Sequence, residues 1–345
     1  MEKSSTAGHS WISFSCLLAL AACSDSASST GGDTPESPAA PEMTAPAPTA
    51  EPQPAVDPMV PPQSNEGSPL GADLEAPVDS SSPSDGAAGP SDEAPAGAPP
   101  VEAGAPVPSL GCGVAAAAAS GRFTIDAAGT SREYIVALPD DYDPARPYRL
   151  IFTWHPGGGS AQGTANNYYG LRQLADDSAI FVSPEGIDQG WANTNGRDTA
   201  FLDAMLARFD AELCFDQSRV FSTGFSYGGM MSFAIGCGRA DVFRAIAPMA
   251  GALFSGCEDG DAPIALLGFH GTADTVVDIA QGVRARDEII ERNGCQPEAD
   301  ALEADGCLAF QGCSEGHSVT WCEFDGGHTP APGAAPRIWD FFSQF

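Results

Sequence analysis

The chain has 345 residues, of which 46 are acidic and 15 basic, giving a net charge of −31. So negative a surface repels nucleic acid and leaves neutral substrates and partners. Composition also divides the chain unevenly, so that length alone overstates the number of folded domains.

The N-terminus carries Lys3 and then an apolar run from Trp11 to Ala22. That run is too short to span a bilayer and has the shape of a signal-peptide core within residues 1–22. It ends in Leu20-Ala21-Ala22-Cys23, the pattern of a lipobox, in which the cysteine takes a diacylglycerol anchor. Cys23 followed by Ser24, Asp25 and a long polar tail favours lipidation over simple cleavage nearby. The expectation is an extracellular or cell-surface protein, a bacterial outer-membrane lipoprotein that touches the membrane only through that anchor. Residues 23–110 are Pro, Ala, Ser, Gly and acidic residues with few large apolar side chains, so they cannot offset chain entropy and read as a disordered linker.

Residues 111–345 read as one globular domain. It holds Cys112, Cys214, Cys237, Cys257, Cys295, Cys307, Cys313 and Cys322. An even set behind an export signal predicts up to four disulfides, with the pairing left open. There is no Cys-x-x-Cys pair and the histidines lack ligand spacing, so neither metal nor cofactor is expected.

In chain order, residues 122–125 and 133–138 read as an opening hairpin. Residues 148–155, 179–183, 219–224, 243–249, 264–270 and 319–324 read as buried strands, rich in β-branched and aromatic residues. Helical periodicity appears over 198–213, 227–236, 281–292 and 335–342. Strands alternating with helices predict a mostly parallel sheet covered on both faces, an α/β-hydrolase fold stabilised by disulfides.

The strongest local signal is Gly224-Phe225-Ser226-Tyr227-Gly228, directly after a strand and before a helix. That is the context of a nucleophile elbow, in which a tight turn lifts the serine above the sheet. A serine hydroxyl needs a base to take its proton and an acid to orient that base, and in this fold they follow in the order Ser, acid, His. His317 and His328 follow in sequence; His328, in a glycine-bearing loop after the last strand, is the better base. Asp274, at the exit of a buried strand, is the expected acid. Asp278 is the runner-up, better placed to open the next helix. His155-Pro156-Gly157-Gly158-Gly159 occupies the position of an oxyanion loop. With the amide of Tyr227 it would supply the second donor from Gly157 or Gly158, since Pro156 has no N–H. Trp191, Asn193, Tyr168 and its neighbour Tyr169 fall in loops at the same sheet edge and could line an aryl- or sugar-binding cleft, while His155 reads as a hydrogen-bonded structural residue, and His270 lies before the acid and lacks the required order for a base.

These motifs resemble the carbohydrate-esterase family of feruloyl and acetylxylan esterases, with its polyhydroxybutyrate-depolymerase-like relatives. The opening Gly111-Cys112-Gly113, Leu213-Cys214-Phe215-Asp216, the elbow, the His270-Gly271-Thr272-Ala273-Asp274 loop and the ending Trp321-Cys322-Glu323-Phe324-Asp325-Gly326-Gly327-His328 are most similar to feruloyl esterase D-like members. The resemblance implies a Ser226, Asp274, His328 triad and hydrolysis of hydroxycinnamate esters on plant polysaccharide; separately, the chain is expected to be a monomer. Acetylxylan esterase and polyester depolymerase are the alternatives with the same triad, and a non-catalytic surface binding protein is the alternative without one. The family's usual oxyanion loop is His-Gly-x-Gly-Gly; the His-Pro-Gly-Gly-Gly here leaves the donor open between Gly157 and Gly158.

Overall fold

The computed structural model describes residues 104–114, 119–257, 260–302 and 306–345. The expected signal segment 1–22, the anchor Cys23 and the linker as far as residue 103 lie outside the described residues.

The strands are β1 (Gly121–Ala127), β2 (Thr130–Ala137), β3 (Tyr148–Trp154), β4 (Ala179–Pro184), β5 (Phe215–Phe225), β6 (Ala245–Met249), β7 (Ala265–Gly271), β8 (Ala299–Leu302), β9 (Cys307–Phe310) and β10 (Val319–Phe324). Among the described residues they form one sheet in the order β1-β2-β4-β3-β5-β6-β7-β10-β9-β8. From β4 to β10 neighbouring strands run parallel, and an antiparallel pair closes each edge. The helices are α1 (Ala161–Ala165), α2 (Leu171–Ala175), α3 (Arg197–Glu212), α4 (Tyr227–Gly238), α5 (Ile279–Arg292) and α6 (Ala334–Ser343).

Strand alternation sorts the core into two layers. Leu150, Phe152 and Trp154 of β3 pack with Phe201, Leu202 and Met205 of α3 and with Met231 and Phe233 of α4. Ile151, on the opposite side of the same strand, joins Leu171 of α2 and Ile338 and Phe342 of α6. Helices thus cover both faces, as expected for an α/β-hydrolase fold.

Among the described residues four disulfides join Cys112 to Cys214, Cys237 to Cys257, Cys295 to Cys313 and Cys307 to Cys322. The first ties the chain entering the domain to the start of β5. Just upstream, the buried Ser109 hydroxyl donates to Leu213 O (2.6 Å) and accepts from Phe215 N–H (2.9 Å). Ordered contacts with the domain therefore begin before residue 111, because Ser109 satisfies one backbone group at the end of α3 and one at the first residue of β5.

Candidate active site

Ser226 sits between the end of β5 and the first residue of α4, with φ 57° and ψ −118°. A non-glycine residue in this region is strained and persists only when its surroundings hold it. Its N–H donates to Met249 O at the end of β6 (2.9 Å), which is one such restraint. The glycines are the other: a Cβ on Gly224 would meet the backbone of Gly228 at 2.5 Å, and one on Gly228 would strike the carbonyl oxygen of Trp154. Backbone lies on backbone there, which is why the sequence carries glycine on both sides of the turn.

Two other parallel strands end at the same rim. The loop after β7 carries Asp274 and the loop after β10 carries His328. The two loops bond to each other, Thr272 N–H to Phe324 O and Ala273 N–H to Gly326 O, both 2.9 Å. His328 Nε2 lies 2.8 Å from Ser226 Oγ and its Nδ1 lies 2.7 Å from Asp274 Oδ2. The imidazole packs on the Phe225 ring, with centroids 4.8 Å apart. Asp274 is buried, and its other oxygen accepts the N–H groups of Val276 and Val277, each at 2.9 Å. Burial pushes the Asp274 carboxyl upward, but the bonds from His328 and from the Val277 and Val276 amides outweigh it and hold the group below the usual carboxylate range.

On the opposite side, His155 is fully buried and burial lowers its pKa, so the ring is neutral. Nδ1–H donates to Pro156 O (2.8 Å) and Nε2 accepts from Gly186 N–H (2.9 Å). It shapes the glycine loop, as expected of a structural residue. The Gly158 N–H is spent on Gln189 O (2.9 Å). Gly157 N–H makes no hydrogen bond among the described residues, and a Cβ on Gly157 would lie 3.6 Å from the Tyr227 ring. Of the two candidates for the second donor, only Gly157 has its amide available beside the elbow.

The other candidates fall elsewhere. Trp191 is fully buried, edge-on to Trp154 (4.8 Å), with its indole N–H on His155 O (2.8 Å), and Tyr168 is buried against Phe181 (4.9 Å). Both rings are consumed by packing, which corrects the expectation that they line a cleft. Asn193 is engaged on both side-chain atoms, accepting from the Asp198 and Thr199 amides and donating to Ser255 O. It is a loop clasp. Asp278 caps α5, accepting from Ala280 N–H (2.8 Å), and His317 lies in the turn before β10, at the other end of that strand from His328.

Two residues at the site have roles other than those expected: Tyr169 is a brace and not a cleft wall, and His270, set aside as a base, supports the acid. Tyr169 donates its hydroxyl to Trp154 O (2.6 Å) and accepts from Phe225 N–H (3.3 Å), joining the end of β3 to the residue before Ser226. Burial pushes its phenol up to about 12, which keeps the donor protonated. His270 is buried, donates from Nε2 to Val277 O (2.8 Å) and lies 3.6 Å from Asp274 Oδ2. It braces the turn that carries the acid. Neither role has a spacing signal, because the partners that accept from them are backbone carbonyls, Trp154 O for Tyr169 and Val277 O for His270. Beside the elbow, Met230, Ala252 and Val277 form a small apolar cluster with Tyr227.

The chain is 43% identical over 263 residues to feruloyl esterase D of Neurospora crassa, covering 69% of this chain and 91% of that one. It is 44% identical over 227 residues to feruloyl esterase C of Emericella nidulans, covering 61% and 83%. Among solved structures, acetyl xylan esterase from Aspergillus awamori superposes with a TM-score of 0.53 at 14% identity, over 64% of this chain and 99% of that one, a likeness of fold alone. No family model matches the chain.

Proposed function

The chain belongs to the feruloyl esterase family and is a carboxylic-ester hydrolase, and from that premise we propose that it is a serine esterase that releases hydroxycinnamates from plant polysaccharide. The observation that carries this reading is the unbroken pair of contacts from Ser226 through His328 to Asp274, at 2.8 and 2.7 Å.

In the proposed reaction His328 Nε2 takes the Ser226 proton as Oγ attacks the ester carbonyl. For that, Nδ1 must carry the other proton, and its bond to the ionised Asp274 fixes this tautomer and stabilises the imidazolium that forms. The tetrahedral oxyanion is received by Tyr227 N–H, the first amide of α4, and Gly157 N–H; the helix N-terminus adds its own positive potential. His328 then protonates the departing alcohol, and water, activated by the same imidazole, releases the acid from the acyl-enzyme. The 43% and 44% identity to proteins named feruloyl esterase, against 14% to the acetyl xylan esterase, favours feruloyl over acetylxylan esterase activity.

Ser226→Ala removes the nucleophile, and turnover of methyl ferulate is expected to fall by at least about 10⁴-fold with the melting temperature unchanged. Undiminished turnover would refute the assignment. Hydrolysis of acetylated xylan by the wild type without hydrolysis of methyl ferulate would replace the substrate reading.

The four disulfides fit an extracellular protein. Export through residues 1–22 and anchoring at Cys23 complete the proposal. Metabolic labelling with palmitate is expected in the wild type and lost in Cys23→Ser; equal labelling of both would remove the anchor.

A further inference from the structure

Tyr169 stands where two strands must part to build the reaction site. β3 and β5 run side by side in parallel, with Trp154 in register with Gly224. The next rung of such a ladder would take Phe225 N–H directly to Trp154 O. The Tyr169 hydroxyl takes the place of that rung, accepting from Phe225 N–H (3.3 Å) and donating to Trp154 O (2.6 Å). Immediately beyond it β3 gives way to the glycine loop at His155, and β5 to the elbow at Ser226. The hydroxyl is thus a one-atom spacer between the strand that leads to Gly157 and the strand that leads to Tyr227.

The surroundings hold this spacer in place. Trp154 O also faces Gly228, where a Cβ would strike it, so the carbonyl has no room to retreat toward α4. The Trp154 ring is fully buried and its indole N–H donates to Ser222 Oγ (3.0 Å). On the other side the tyrosine is presented by strained backbone. Tyr168, Tyr169 and Gly170 have φ of 51°, 56° and 83°, and Asn167 Oδ1 accepts Tyr169 N–H (3.1 Å). Adjacent non-glycine residues in the left-handed region persist only where their neighbours hold them, and such strain gathers at functional sites. Tyr168 fills the core against Phe181, whereas Tyr169 is only half-buried and spends its polar end on the two strand termini.

With its proton on Trp154 O and a lone pair on Phe225 N–H, this hydroxyl is not placed to bind substrate, so any effect on the reaction passes through the backbone. Two amides carried by different strands receive one oxygen only at one separation, and displacement on the order of 1 Å costs about 100-fold. We propose that the Tyr169 hydroxyl is a positioning group for the oxyanion hole: standing in for one ladder rung, it sets the spacing of the Gly157 and Tyr227 amides, and it acts on the transition state rather than on substrate binding. The inference rests on the serine-esterase reading and its oxyanion donors.

The test compares the wild type with Tyr169→Phe, which keeps the ring and removes the hydroxyl, on 4-nitrophenyl acetate, an ester whose hydrolysis does not depend on the feruloyl assignment. A fall in kcat of about 10- to 100-fold is expected, with KM within about threefold. Phenylboronic acid gives the readout that a merely structural role leaves unmoved. Ser226 Oγ adds to boron, the serine proton passes to His328, and the tetrahedral anion places an oxygen where the oxyanion forms. Its inhibition constant is expected to rise by about the factor by which kcat falls. Undiminished kcat in Tyr169→Phe, or a loss of kcat without weaker boronate inhibition, would overturn the proposal. A Tyr169→Phe chain that does not fold would also overturn it, by assigning the hydroxyl to stability. Tyr169→Ala, which removes the ring as well, is expected to lose at least as much activity; damage in that variant alone would give the role to packing and reject the spacer. Absence of turnover by the wild type would sink the serine-esterase reading itself, a result distinct from an active wild type matched by an equally active Tyr169→Phe.

Discussion

At the β3–β5 side of the site, backbone is pressed on backbone: Gly224 against Gly228, Gly228 against Trp154 O, and Ser226 held at positive φ between them. At the β7–β10 side the loops of Asp274 and His328 meet through hydrogen bonds, with room for a Cβ at Gly327 but not at Gly271, where one would strike the carbonyl oxygens of Gly326 and Gly327, and a disulfide, Cys307–Cys322, clamps β10 to its neighbour β9. The nucleophile is positioned by exclusion, and the acid–base pair mainly by tethers, with one close backbone approach at Gly271. Close packing has no give, so its faults are expected in geometry and activity; loss of a tether should appear first as stability.

The sharpest way to break the comparison is a pair of identical substitutions. Gly228→Ala drives a methyl into the Trp154 carbonyl, which must shift with the elbow and the start of the oxyanion loop. Displacement on the order of 1 Å in such a constellation costs about 100-fold or more in kcat/KM, with about 1–3 kcal/mol of destabilisation from overpacking. Gly327→Ala, adjacent to His328, finds its nearest outside atom, Ala273 O, at 3.7 Å and has no positive φ to lose. Its activity should stay within about twofold and its stability within about 0.5 kcal/mol. Equal damage from both would show that the two sides are built alike.

Next in size is removal of the tether itself. Cys307→Ser with Cys322→Ser opens a loop of 15 residues in sequence separation, and the chain-entropy estimate for such a loop is about 3 kcal/mol. Urea unfolding should read that loss while methyl ferulate turnover at room temperature changes little, because the Thr272 and Ala273 bonds still join the acid and base loops. A large fall in kcat with unaltered stability would reverse the roles assigned to packing and tethers.

The same contrast explains what could be read from sequence. Elbow glycines are a local signal, since strand, turn and helix are contiguous, so Ser226 and its setting were legible at once. The parallel core strands were legible because long β-branched runs have few other uses. The antiparallel edge was not: Ala299–Leu302 and Cys307–Phe310 are four residues each, with alanine and acidic residues that carry no alternation, and they pair beside two disulfides whose partners spacing cannot specify. The short helices Ala161–Ala165 and Leu171–Ala175 lack a full amphipathic repeat and were missed for the same reason. Trp191 and Tyr168 misled because aromatic residues in a loop at the active edge look like cleft walls until their burial is known. Tyr169 and His270 act on carbonyls and amides, which the sequence does not label.

His155 gives the smallest effect and tests the packed side by pH. Burial lowers its pKa from the ordinary 6.5, partly opposed by the Pro156 carbonyl and by Glu185 and Asp198 nearby. In the unfolded chain the group takes a proton as pH falls through 6.5, whereas in the folded protein it resists protonation to lower pH, so the unfolded state binds more protons in that window. Stability conferred by the neutral ring is thus complete above 6.5 and lost as pH falls through the folded value. Protonation would place an N–H on Nε2 facing the Gly186 N–H, donor against donor, at the base of the glycine loop. His317, half-buried and also lowered, contributes in the same direction, discounted for its exposure. The melting temperature should therefore drop between pH 7 and 5 in the wild type and drop less in His155→Gln, whose amide oxygen can still accept from Gly186. Identical slopes in the two proteins would mean that the buried ring stays neutral throughout, or that its protonation is absorbed by Glu185, 3.8 Å away, without loss to the loop.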